Sequence, residues 1–209
     1  MRTIWRLLLV CAAVAGLVCL GVSLRTPWVY FTGQSNLILA LYYGWRLLGR
    51  DTPGTLRTSP TLKGAVTLYL VITGLVAHFF LMRGANPLPL LGGGVRQVGN
   101  FLLHYVTPVM ALVDWLAFDR TRRPRWADPA RWLAFPLLYG AFVLIRASLL
   151  PETTARRYVY PFLNVDRLGW SGFTLAALGL VAGFVIVGYL LIALHRLTAR
   201  LTPPAQVTA

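Results

Sequence analysis

Thr32 with Asn36, and Asn100 with His104, are two pairs of hydrogen-bonding residues in otherwise apolar stretches of the chain. Each pair is spaced i, i+4, which puts its two side chains on one face of a helix. Unsatisfied polar groups are costly in hydrocarbon, so residues of this kind either bond to a neighbouring helix or carry chemistry. A hydroxyl and an imidazole at similar depth are the raw material of acyl transfer, with threonine as nucleophile and histidine as its base.

The elements that must hold these side chains are membrane spans. Hydrophobic residues make up 57% of the 209 and charged residues 12%. Apolar runs reach the roughly 20 residues that a spanning helix needs. We place spans at about 4–24, 29–49, 64–83, 97–118, 131–150 and 171–195, which predicts an all-α integral membrane protein, a single six-helix transmembrane bundle over 1–209. The first run extends to Val22, longer than the 7–15 residues of a signal-peptide core, and reads as an uncleaved helix. Cys11 and Cys19 share that helix and cannot bridge each other. No metal-ligand spacing occurs, and acyl transfer between a hydroxyl and an ester calls for no cofactor.

The formal net charge of +14 sits at helix ends rather than on a soluble basic domain, which excludes a nucleic-acid partner. Arg2, Arg6, Arg46, Arg50, Arg57, Lys63, Arg120, Arg122, Arg123, Arg125, Arg131, Arg196 and Arg200 fall on one side. Arg25, Arg83, Arg96, Arg156, Arg157 and Arg167 fall on the other. The positive-inside rule then puts both termini in the cytoplasm. A single lysine, Lys63, among 20 basic residues hints at a GC-rich bacterial genome and hence at a bacterial cytoplasmic membrane.

With that topology Thr32 lies roughly 5 Å and His104 roughly 10 Å below the outer boundary, at 1.5 Å per residue. His78, Arg146, Gln34, Ser35, Asn36 and Asn100 fall in the same layer. Each also has a structural reading. Threonine commonly returns its hydroxyl to a helical carbonyl, asparagines glue helices, and Arg146 can snorkel to headgroups. His78 is read first as a structural hydrogen-bonder that can border a pocket. The loop Tyr158–Asp166 suits an interfacial aromatic belt, from which Asn164 and Asp166 can fold back over a site. Asp114, Trp115 and Asp119 read as boundary residues, and His195 as a cation at a helix C-terminus.

Four segments carry a likeness: Tyr30-Phe-Thr-Gly-Gln-Ser-Asn36-Leu, Asn100-Phe-Leu-Leu-His104-Tyr-Val-Thr-Pro108, Asp114-Trp115 and Tyr160-Pro-Phe-Leu-Asn-Val-Asp166. In these, and in span count and loop pattern, the chain resembles the androgen-induced protein family of six-helix membrane proteins. The likeness is close to the bacterial branch and faint to the animal one. The family's animal members are threonine hydrolases of fatty acid esters of hydroxy fatty acids. The resemblance implies Thr32 as nucleophile, after the aromatic pair Tyr30-Phe31, and His104, four residues after Asn100, as its partner. The asparagine follows Thr32 at the fourth position rather than the third, and the intervening Gln34-Ser35 makes Ser35 an alternative nucleophile.

The expectation is therefore a lipid ester hydrolase acting on a fatty acid ester in the outer half of the bundle, facing the periplasmic or extracellular side. His104 is the expected base. Asn100 or Asp166 would orient it, and Asn36, Gln34 or Arg146 would supply oxyanion donors. Two non-catalytic alternatives use the same polar layer: a lipid-organising protein and a small transporter.

Overall fold

The computed structural model describes residues 1–24, 26–49, 59–119 and 123–201. Arg25, Arg50, Arg57, Arg120 and Arg122 of the charge count lie outside them. The described residues are helical with no strand. Eight helices follow in order: α1 Arg2–Ser23, α2 Phe31–Leu47, α3 Pro60–Leu75, α4 Val95–Phe101, α5 Thr107–Phe118, α6 Asp128–Trp132, α7 Ala134–Ser148 and α8 Val165–Leu201.

Several of these run together. α3 continues through a π-helical segment Val76–Leu81, and α4 and α5 are joined by another, Leu102–Val106. Five continuous runs are thus long and apolar enough to cross a membrane: Arg2–Ser23, Pro60–Leu81, Val95–Phe118, Asp128–Ser148 and Val165–Arg200. They are the helices of an α-helical membrane protein. The remaining long helix, α2, has 17 residues.

Local chemistry sets several ends. α3 begins where the Ser59 hydroxyl accepts the Leu62 amide and Pro60 fills the first helical position. α8 is interrupted at Gly169, whose φ of 65° belongs to the left-handed region. The main core joins α1, α2, α3, α5, α6 and α8 around Leu9, Leu39, Leu68, Trp115, Trp132 and Ile192. A smaller cluster, Tyr139, Val143 and Leu163, packs α7 against the loop Tyr158–Leu163. Gly16 on α1 faces the Leu103 side chain, and Gly99 on α4 lies under Cys19 and the Gly16 carbonyl. Small residues at that crossing let the two backbones approach, as helices do in lipid.

Candidate functional site

Thr32 is the second residue of α2, just past a tight turn at Pro27–Val29. That turn closes against the helix because position 33 is glycine: a Cβ there would lie 2.5 Å from the Pro27 carbonyl. The Gln34 amide donates to the Trp28 carbonyl (2.9 Å), and the Tyr139 hydroxyl to that of Val29 (3.0 Å). The first amides of a helix have no intrahelical acceptor, so those at the start of α2 point toward groups outside the helix.

His104 sits inside the π-helical segment, and the sequence gives a reason for that segment. Pro108 has no amide hydrogen, and its ring disfavours the regular bond to the carbonyl four residues earlier, that of His104. The ladder slips: the Thr107 amide reaches back five residues to the Leu102 carbonyl. The Leu103 carbonyl is thereby released, and it accepts from the Asn36 amide (3.3 Å) and the Thr107 hydroxyl (3.2 Å). π-helical insertions are frequent at functional sites, because they re-aim one side chain without ending the helix.

The re-aimed side chain meets Thr32. Thr32 Oγ1 and His104 Nε2 are 3.0 Å apart, and His104 Nδ1 is 2.9 Å from the Asn100 carbonyl oxygen. A carbonyl only accepts, so Nδ1 carries the proton and Nε2 offers its lone pair to the threonine hydroxyl. Thr32 is 7% exposed. Asn36, fully buried, braces the pair: its amide also donates to the Thr32 carbonyl (3.0 Å), and its side-chain oxygen accepts from Thr107 (2.6 Å).

The other expected residues take different places. The Asn36 and Gln34 amides are occupied by carbonyls, so neither faces the Thr32 hydroxyl as a free oxyanion donor. Arg146 Nη1 donates to the carbonyls of Arg156 (3.3 Å) and Arg157 (2.7 Å), strapping the loop between α7 and α8 instead. Asp166 pairs with Arg157 at 3.0 Å rather than with His104. Asn100 orients the imidazole through its backbone carbonyl, not its side chain. Ser35 is fully buried and its hydroxyl has no hydrogen-bond partner, one helical turn from Thr32. His78 bonds the Tyr105 hydroxyl (3.3 Å), outside the pair. Asn164 borders the site and caps the following helix by accepting the Arg167 amide (3.0 Å).

Tyr160 was not among the expected residues. It lies in extended backbone between α7 and α8, before the turn Pro161–Leu163, stacked on Phe162 with ring centres 5.0 Å apart and edge-on to Tyr30 at 6.1 Å. Its hydroxyl faces the Thr32 side chain and the backbone of Phe31 and Thr32 at the start of α2. Burial pushes the phenol above its ordinary value, and its polar neighbours at Thr32 and Phe31 offset part of that rise. The phenol stays neutral and able to donate. A Tyr-Pro step closing an aromatic loop segment was the available sequence signal, but it reads equally as an interfacial belt.

Two cavities meet at this point. One, of about 270 Å³, is walled by apolar side chains of α3, α7 and α8, including Ile72, Leu137, Phe173 and Phe184. The other, of about 480 Å³, is bordered by Arg96, Asn100, Arg156, Tyr158, Asn164 and Arg167. Thr32, His104, Tyr160 and Leu81 line both.

At the other end of the same helices a buried charge cluster holds the bundle together. Asp114, with no exposure, pairs with Arg6 Nε at 2.9 Å, accepts the Tyr43 hydroxyl at 3.0 Å and contacts Lys63. Asp119 pairs with Arg6 (3.0 Å), Arg46 (3.5 Å) and Lys63. His195 is buried against Trp115, ring centres 4.8 Å apart, with Nε2 3.2 Å from the Asp119 carbonyl oxygen, so it is not an exposed helix-end cation. No family model, no curated protein and no solved structure matches the chain.

Proposed function

We propose that this chain is an intramembrane lipid ester hydrolase with Thr32 as nucleophile and His104 as general base. The observation that carries the reading is the 3.0 Å approach of Thr32 Oγ1 to a histidine nitrogen whose ring is fixed from its other side. Threonine is unreactive at neutral pH until a base takes its proton, and that geometry supplies one. The likeness of the segments around Thr32 and His104 to the threonine hydrolases of fatty acid esters of hydroxy fatty acids adds support.

In this mechanism Nε2 removes the Thr32 proton as Oγ1 adds to the ester carbonyl carbon. The carbonyl oxygen becomes an oxyanion, to which the Tyr160 hydroxyl beside Thr32 donates. Collapse breaks the carbon–oxygen bond to the alcohol half. That oxygen takes the proton held on Nε2, leaving an acyl-threonine. Water then adds to the same carbon with His104 again as base, and collapse returns the proton to Oγ1. One ester and one water give one carboxylic acid and one alcohol.

The membrane setting follows the same reading. α2 serves as the sixth span, within the range of short spanning helices. Both termini lie in the cytoplasm, and the Thr32–His104 pair lies in the outer half of a bacterial cytoplasmic membrane. The arginine-rich connection between α5 and α6 supports this orientation. Shallow depth serves hydrolysis, since water must reach the acyl-threonine.

Labelling with a fluorophosphonate probe tests the reading. Wild type should label at Thr32, and Thr32→Ala and His104→Ala should each lose at least about 10³-fold in labelling rate, the scale of losing a nucleophile or its base. No labelling of wild type, or unchanged labelling of both variants, overturns the hydrolase. It would leave the polar layer as helix glue or a transport path.

A further inference from the structure

An acyl-threonine is consumed by whichever hydroxyl stands beside His104, and the cavity on that side is built to hold more than water. It measures about 480 Å³, and its border mixes the apolar Leu20 and Leu24 with Arg96, Arg156 and Arg167. We propose that the site is also a transacylase, passing its acyl group from Thr32 to a hydroxyl on the headgroup of an anionic phospholipid. The proposal rests on the acyl-threonine of the hydrolase reading and adds a second fate for it.

The step differs from hydrolysis only in the attacking group. The headgroup hydroxyl oxygen adds to the acyl carbon while His104 Nε2 takes its proton. Collapse breaks the bond between that carbon and Thr32 Oγ1, and Oγ1 recovers the proton from Nε2. One acyl-threonine and one alcohol give free Thr32 and one new ester, with no water consumed.

The arginines indicate the class of the acceptor. Arg96 comes from the start of α4, Arg156 from the loop between α7 and α8, and Arg167 from the first turn of α8. Arg157 takes both Asp166 (3.0 Å) and Glu152 (3.8 Å), and among the described residues no carboxylate pairs with Arg96, Arg156 or Arg167. Three guanidinium groups around one cavity repel each other unless an anion lies among them, and a guanidinium fork matches a phosphate. Arg156 is held at this border. Its φ of 61° is a left-handed conformation costly to a non-glycine residue, Arg146 bonds its carbonyl, and its guanidinium donates to the Tyr30 hydroxyl at 3.3 Å.

A phosphate held there needs its hydroxyl steered to the acyl carbon, and Asn100 is placed to do so. It borders the same cavity one helical turn before His104, on the same helix face. Only its backbone carbonyl is used by the imidazole, which leaves the side-chain amide for a hydroxyl in the cavity. Water competes for the same carbon, and concentration decides the outcome. A hydroxyl held in attacking geometry reaches effective molarities of about 10⁵ M or more, well above that of liquid water. In the proposed membrane setting the pair lies shallow, at the level where phospholipid headgroups are the abundant hydroxyl-bearing anions.

The test uses the full chain in lipid nanodiscs and a nitrophenyl ester of a radiolabelled long-chain fatty acid. Nitrophenol release counts the acyl-threonine formed, and the label divides between free acid and acylated acceptor. Four acceptors are compared: phosphatidylglycerol, phosphatidic acid, neutral diacylglycerol and soluble glycerol phosphate. The expected result is label on phosphatidylglycerol, with a transfer-to-hydrolysis ratio at least about tenfold above that with diacylglycerol or glycerol phosphate. Phosphatidic acid, an anion without a headgroup hydroxyl, should yield only free acid. Each of Arg96→Gln, Arg156→Gln and Arg167→Gln should lower the phosphatidylglycerol ratio roughly tenfold, as expected for loss of a charge-assisted hydrogen bond, and Asn100→Ala a few-fold. Fluorophosphonate labelling of each variant reports whether the Thr32 site is folded.

Free acid as the sole product with phosphatidylglycerol overturns the proposal. So does equal transfer to diacylglycerol or to glycerol phosphate, or a ratio that survives all three arginine changes. In each of these cases nitrophenol release leaves the hydrolase standing. If wild type neither releases nitrophenol nor labels, the hydrolase fails and the transfer reaction fails with it.

Discussion

His104 donates its Nδ1 proton to the backbone carbonyl of Asn100, 2.9 Å away and one turn earlier in the same run of helix. The asparagine side chain takes no part in that bond. In a serine protease a buried carboxylate holds the corresponding nitrogen; here a carbonyl dipole holds it. The tautomer is fixed without placing a second charge in the membrane.

This makes position 100 tolerant where a side-chain orienter would not be. Asn100→Ala keeps the carbonyl, so ester turnover should fall only a few-fold, against at least about 10³-fold for His104→Ala. Side-by-side kinetics of the two variants check it. A loss at Asn100 as large as at His104 would show that the side chain, not the backbone, sets the ring.

Tyr160 makes a sharper prediction, because its hydroxyl faces the Thr32 side chain, where the proposed reaction would develop an oxyanion. Tyr160→Phe should lower kcat by about 10²-fold or more with little change in KM, the pattern of a donor used in the transition state. The pH profile carries a second signature. The phenol donates only while protonated, and burial raises its ionisation above the ordinary tyrosine range. Loss of the donor at alkaline pH is therefore displaced upward, and wild-type activity should hold through about pH 10, the ordinary tyrosine value. A decline in kcat centred near that value would argue that Tyr160 is solvated and not in the site.

What the sequence revealed, and what it hid, divides along physical lines. Thr32 and His104 were legible because polar residues are conspicuous in hydrocarbon and because i, i+4 spacing defines a face. The helical runs were legible from apolar length, and their observed ends differ by a few residues where Ser59-Pro60 starts α3 early and Gly169 breaks α8. Side-chain partners were not legible. Asn36 has the chemistry of an oxyanion donor, but a released carbonyl at Leu103 claims its amide, and that release follows from Pro108 and the slipped ladder. Arg146 has the chemistry of an anion clamp, yet the loop that supplies its acceptors folds back over its helix end. Lys63 falls by sequence among the cytoplasmic-side charges and proves to be a buried partner of Asp114. Pairings of this kind depend on which helices are neighbours, which periodicity does not encode.

The π-helical segment can be tested from both sides. A Cβ at Gly74 would sit 2.9 Å from the His104 carbonyl oxygen and 3.4 Å from the Pro108 ring. Gly74→Ala should therefore push the segment and displace the imidazole, costing activity and about 1–3 kcal/mol of stability. Pro108→Ala restores an amide hydrogen to the ladder and permits a regular α-helix, which rotates His104 away from Thr32. That variant should be at least as stable as wild type in thermal melts yet poorly labelled by the fluorophosphonate probe. Full labelling of Pro108→Ala would mean that proline does not cause the re-aiming.

The buried charge cluster should behave as a device for stability and not for chemistry. It lies at the opposite end of α2 from Thr32: Tyr43 is 11 residues beyond it, about 16 Å along the axis. Asp114 and Asp119 together neutralise Arg6, Arg46 and Lys63, so Asp114→Ala leaves one carboxylate for three cations in a dry interface and should destabilise the fold by about 3–5 kcal/mol. Asp114→Asn keeps hydrogen bonds but not charge and should cost less. Thermal unfolding in detergent gives the stabilities, and turnover of the residual folded protein separates the roles. Per folded molecule, activity should match wild type in both variants, because neither Thr32 nor His104 touches the cluster. A specific loss of turnover in well-folded Asp114→Asn would instead couple the two ends of the bundle and make Asp114 part of the working site.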